Sequence, residues 1–63
     1  MTAFIIDKSD INKHPDLREE LKLIADKVEE WDSILIYETV PQNFSAFIKL
    51  LNAHRISFHL KNS

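Results

Sequence analysis

Two prolines, Pro15 and Pro41, each stand before a stripe of apolar residues at helical spacing, and that repeat limits the chain to few architectures. Proline's fixed φ and missing donor suit the first position of a helix. Beyond Pro15, Leu17, Leu21, Ile24, Val28 and Trp31 recur at spacings of 4, 3, 4 and 3, which predicts one amphipathic helix over residues 15–31. Asp16, Glu19 and Glu20 fall in its first turn, where acidic charge favours the helix dipole. Beyond Pro41, the i, i+3, i+4, i+7 pattern of Phe44, Phe47, Ile48 and Leu51 predicts a second helix over residues 42–54.

Three further segments read as strands. "AFII", residues 3–6, is a short apolar run with β-branched content, and "DKSDINKH" links it to Pro15 as a polar stretch. "SILIYETV", residues 33–40, carries contiguous Ile34, Leu35 and Ile36, as expected of a strand covered on both faces. "ISFHLK", residues 56–61, alternates Ile56, Phe58 and Leu60 with Ser57, His59 and Lys61, the mark of a half-exposed strand. The order is strand, helix, strand, helix, strand. Helical crossovers join parallel strands, so the expectation is a small two-layer α/β sandwich with a three-stranded, mostly parallel sheet. Either of the first two strands could be central. If both helices lie on one face of the sheet, the other is left for a second copy to cover.

At 63 residues the chain allows one domain, spanning 1–63. Such a domain buries only about 60% of the surface its unfolded chain exposes, so its stability is marginal without a supplement. There is no cysteine, which excludes disulfides and thiolate metal sites, and His14, His54 and His59 lie at no compact ligand spacing. No cofactor or metal is therefore expected, and homodimer formation becomes the leading supplement. Glycine is absent too, which excludes phosphate-cradling loops and nucleophile elbows.

The formal charge of −2 argues against nucleic-acid binding, which needs a clustered basic face. The charge is uneven. Residues 16–32 hold seven acids against three bases, while residues 33–63 hold Glu38 against Lys49, Arg55 and Lys61. Such polarity could orient a partner, but a solvated helix face is the plainer reading. No apolar stretch approaches the length of a membrane span and "MTAFIIDKSD" lacks signal-peptide features, so a cytoplasmic protein is expected.

The segment from His14 onward resembles the TusA-like, or SirA-like, sulfur-carrier family. In that family a Cys-Pro dipeptide opens the first helix and an Asp-Pro dipeptide opens the second. Here "HP" at 14–15 and "VP" at 40–41 stand at the two proline positions, 26 residues apart, and "AHRISFHL" resembles the family's late histidine and following strand. The resemblance spans about residues 4–61. The departures are specific: His14 replaces the persulfide-carrying cysteine, Leu17 the second proline, and Val40 the aspartate, and the family's last strand has no counterpart after Ser63. Imidazole cannot hold a transferable sulfane sulfur, so the carrier chemistry is not inherited.

His14 has two readings, a neutral imidazole at a positive helix end available as base or ligand, or an exposed residue at the N-cap. With no serine, cysteine or second histidine at a local spacing, no acid-base chemistry is expected of it, and His14→Asn should be neutral or slightly stabilising. Trp31 and Tyr37 could mark an interface, since amphipathic aromatics are enriched there, and Trp31 could equally close the end of the first helix. The functional expectation is a non-enzymatic protein-interaction module, acting as a homodimer that binds a protein partner. Its candidate interaction residues are His14, Pro15, Trp31, Tyr37, Ser57 and His59. The alternative is a TusA-like sulfur-relay or small-ligand accessory that has lost carrier chemistry, with His14 and its loop as the site.

Overall fold

A computed structural model describes residues 2–62. Strand β1 (Thr2–Asp7) runs into a short helix α1 (Lys8–Asn12) and then α2 (Pro15–Ile24). Strands β2 (Lys27–Glu30) and β3 (Ile34–Thr39) follow, then α3 (Pro41–Ala53) and β4 (His59–Asn62). The sheet order is β2-β3-β1-β4, with every neighbouring pair antiparallel.

The expected three-stranded, mostly parallel sheet is therefore wrong, and one misread segment accounts for it. The first helix stops at Ile24, where Ala25 turns extended with ψ 143°. Asp26 pins the turn: its N–H donates to the Glu38 carbonyl at 2.8 Å and its Oδ2 accepts the Val40 N–H at 2.9 Å. Residues 27–30 then pair with β3 as a hairpin across Asp32 and Ser33. Both helical crossovers still join strands that run the same way, β1 to β2 and β3 to β4. Each such pair is split by a strand of the other unit, so no two neighbours are parallel. This is the β-α-β-β-α-β arrangement of ferredoxin-like sheets. Both the first strand and the 34–39 strand are central, and the polar stretch after β1 holds α1.

All the helices use one face of the sheet. Phe4 and Ile6 of β1 and Leu35, Tyr37 and Thr39 of β3 are buried there, under Ile11, Leu17, Leu21, Phe47 and Leu51 from the helices. Phe4 is the centre: its ring stacks on Phe47 at 4.5 Å and meets Phe44 and Phe58 at 5.4 Å each. Aromatic pairs in such offset or edge geometries add to the area they bury. The Thr39 hydroxyl is buried with no hydrogen-bond partner, for which the surrounding side chains offer no account.

A chain without glycine must still end its helices. At the end of α3, Arg55 takes φ 56°, the left-handed region that favours glycine. Arg55 N–H donates to the Asn52 carbonyl at 3.1 Å and Ile56 N–H to the Leu51 carbonyl at 2.9 Å, a Schellman closure with Ile56 buried against the core. A residue with a Cβ is strained in that conformation by about 1 kcal/mol. Arg55→Gly is accordingly expected to raise the melting temperature by roughly 4–8 °C, read by thermal circular dichroism. An unchanged or lower value would show that the gain in unfolded-chain entropy offsets the strain relief.

Candidate interaction face

Side chains of a strand alternate between faces, so the residues that do not point at the helices point away from them. Ala3, Ile5 and Asp7 of β1, Ile34, Ile36 and Glu38 of β3, Lys27 and Glu29 of β2, and His59 and Lys61 of β4 share the outer face. Ile24, Ala25, Phe44, Ile48, Leu50 and Phe58 pack against the buried core, and Ile5, Ile34 and Ile36 do not. Among the described residues, no helix covers this side.

The registers arrange the face in rows. Lys27, Glu38, Ala3 and Lys61 lie side by side across the four strands, and Glu29, Ile36, Ile5 and His59 form the next row. Trp31 continues the β2 ladder by donating its N–H to the Ile34 carbonyl at 2.9 Å, and the residue is 59% exposed. Lys27 bonds Glu29 at 2.8 Å. That hydrogen bond, the lysine charge and the Trp31 indole donor hold the Glu29 carboxyl below its ordinary value, while Glu29 raises the Lys27 ammonium above its own. The face thus has an isoleucine centre, an acidic β2/β3 half that includes Trp31, and a β4 edge of His59 and Lys61.

The six candidate residues from the sequence scatter. Trp31 and His59 lie on this face, and Ser57 is exposed just before β4. Tyr37 is buried at 1% exposure, its ring 5.4 Å from Phe47, and burial pushes its phenol above the ordinary value. Its edge lines a groove of about 510 Å³ between α2 and β2, with Arg18, Lys22, Val28 and Glu30. His14 is the N-cap of α2 and Pro15 its exposed first residue. His14 makes no capping bond with its side chain and is half-buried, its ring meeting that of His54 edge-on at 5.1 Å. His54 Nδ1 donates to the Leu50 carbonyl at 3.0 Å. Their spacing of 40 residues hid this contact from the sequence, because only the packing of α2 on α3 brings the ends together. Among the described residues, no group of three or more histidine, cysteine, aspartate or glutamate side chains could hold a metal, and no helix is long and apolar enough to cross a membrane.

Glu30 ties the inner side of β2 to both early helices. It bonds Lys8 at 2.8 Å and Arg18 at 3.3 Å, and Arg18 also donates to Asn12 Oδ1 at 3.0 Å. The Lys8 hydrogen bond and charge hold the Glu30 carboxyl below its ordinary 4.5. A lowered folded value stabilises the native state above the unfolded value, and the contribution is lost as pH falls through the folded one. Stability should therefore drop below pH 4.5, and Lys8→Met should flatten that drop in urea titrations across the acid range. An identical acid slope in the variant would rule the pair out as its source.

Comparison with known proteins finds no family model, no characterised protein and no solved structure that matches this chain.

Proposed function

We propose that the protein is a non-enzymatic interaction module that works as a homodimer, with the uncovered face of the sheet as its docking surface. One observation carries the reading: Ile5, Ile34, Ile36 and the exposed Trp31 share a face that no element covers among the described residues. Contiguous apolar surface ringed by charge marks interaction sites, and a Trp at the margin is the residue type enriched at interface anchors. A second copy fits this face because Glu29 and Glu38 give its β2/β3 side an acidic excess over Lys27, while its β4 edge carries Lys61 and His59. Four strands at about 4.8 Å spacing make a patch roughly 20 Å across with side chains, the low end of specific interface sizes.

Sedimentation velocity over a dilution series, paired with melting curves at the same concentrations, tests the reading. A dimer that dissociates on dilution, with a melting temperature falling in step, is the expected result. A species of 7.4 kDa at every concentration up to about 500 μM would exclude it. A small-ligand accessory is the second reading, supported by the groove beside Tyr37 and Val28. It predicts that a bound compound perturbs those two residues rather than Ile36 in amide spectra.

A further inference from the structure

We infer that two copies stack with their twofold axis parallel to the strands, setting β2 of each over β4 of the other, so that the acidic half of one face meets the His59 and Lys61 edge of the second. This rests on the proposed docking of the uncovered faces and specifies how they meet. Face-to-face sheets pack about 10 Å apart with strands nearly aligned, which leaves two in-plane directions for a twofold axis. An axis across the strands lays each strand over its own copy. It would set Glu29 over Glu29 and His59 over His59, two like pairs at the margins of one row. An axis along the strands exchanges the ends of every row, since the order β2-β3-β1-β4 is read backwards in the second copy.

The registers then give the contacts. Ile36 lies over Ile5 of the second copy, and Ile5 over Ile36, forming an apolar centre of four side chains. Glu29 lies over His59 of the second copy, and Glu38 falls over Ala3 beside Lys61. Trp31, one step further along β2, reaches the exposed Ser57 and His59 of the second copy. Three of the residues that the sequence singled out are thus gathered into one contact. Imidazole donates a hydrogen bond to a carboxylate in either tautomer, so the Glu29 contact needs no particular charge on His59. Lys27 lies over Lys61 of the second copy, a like pair in each symmetry-related contact, which the Lys27–Glu29 bond and the neighbouring Glu38 offset. Asp7 lies over Ile34, at the wet end of the face.

The test reverses each half separately. Glu29→Lys with Glu38→Lys makes both halves basic, and His59→Glu with Lys61→Glu makes both acidic. Each double variant alone should self-associate at least about tenfold more weakly than the wild type, because like charges now meet in both symmetry-related contacts. Mixed in equal amounts, the two should form a heterodimer close to wild-type affinity, seen by native mass spectrometry and sedimentation. Circular dichroism verifies the fold of each. If one is unfolded, the Glu29→Gln with Glu38→Gln and His59→Gln with Lys61→Gln pairs replace them, each expected to weaken the dimer. Variants that dimerise like the wild type, or mixtures with no preference for the heterodimer, would overturn this arrangement while leaving a dimer through the same face intact. A wild type that stays monomeric would remove the docking reading itself.

Discussion

Phe4→Ala leaves a large share of the protein unfolded at 25 °C in water. Phe4 is at 0% exposure in the middle strand pair and touches three other aromatic rings, one from β4's approach and two from α3. Truncating a buried Phe to Ala removes about 3–5 kcal/mol through lost transfer energy and the cavity left behind. A domain of this length holds only about 3–9 kcal/mol in total at roughly 0.05–0.15 kcal/mol per residue. No disulfide compensates. Urea unfolding followed by circular dichroism measures the loss directly. Phe4→Leu, which keeps most of the volume, should lose less than half as much. A deficit under about 1.5 kcal/mol for Phe4→Ala would mean that α3 collapses onto the sheet and refills the site.

Much of this core was legible because its periods are clean. The helix after Pro41 follows the written pattern, with Phe47 and Leu51 buried and Phe44 and Ile48 beside them. The last segment keeps its alternation only in part: Ile56 is buried and Ser57 and His59 are exposed, but Leu60 is 49% exposed and pairing begins only at His59. The first helix misled because Val28 and Trp31 fit two periods at once. Their spacing continues the stripe of Leu17, Leu21 and Ile24, yet Lys27, Glu29 and Trp31 also alternate with Val28 and Glu30 as a strand does. Neither glycine nor proline marks the break after Ile24. What decides it is tertiary: Asp26 bonding to the far end of β3 turns the chain back, and local spacing carries no trace of a partner 14 residues away. One lost strand then changed the direction of its neighbour, and with it the whole sheet.

The uncovered face was legible only as a consequence of topology. That both helices would sit on one side was a conditional inference from two crossovers, and the structure meets the condition. Which residues line the free side depended on knowing that 27–30 is a strand. Lys27 and Glu29 fell within the helix expected over residues 15–31, and Trp31 was open to two roles, an interface aromatic or the close of that helix. Tyr37, offered as a surface aromatic, alternates inward with Leu35 and Thr39. Contiguous Ile34, Leu35 and Ile36 suggested a strand covered on both faces, but among the described residues only the Leu35 side is covered, and Ile34 and Ile36 lie on the open face.

If two copies dock through the uncovered face as proposed, Ile36→Lys should convert that dimer to a monomer while sparing the fold. Ile36 sits opposite Ile5 on one side and Glu29 on the other, in the centre of the uncovered face and away from the core. In the monomer a lysine there keeps its ammonium in water, and the change in strand preference lies within about 1 kcal/mol. In the dimer it buries two lysines, one from each copy, against isoleucines with no partner to neutralise them. The symmetry doubles the penalty, so association should weaken at least about 100-fold, or some 2.7 kcal/mol. The variant should sediment as a monomer where the wild type is dimeric, with a melting temperature that no longer depends on concentration. Should Ile36→Lys fail to fold, Ile36→Thr retains the β-branch and tests the same contact more gently. A variant that folds and dimerises as tightly as the wild type would move the interface to one of the open edges, β2 or β4, where backbone pairing rather than side-chain burial would join the copies.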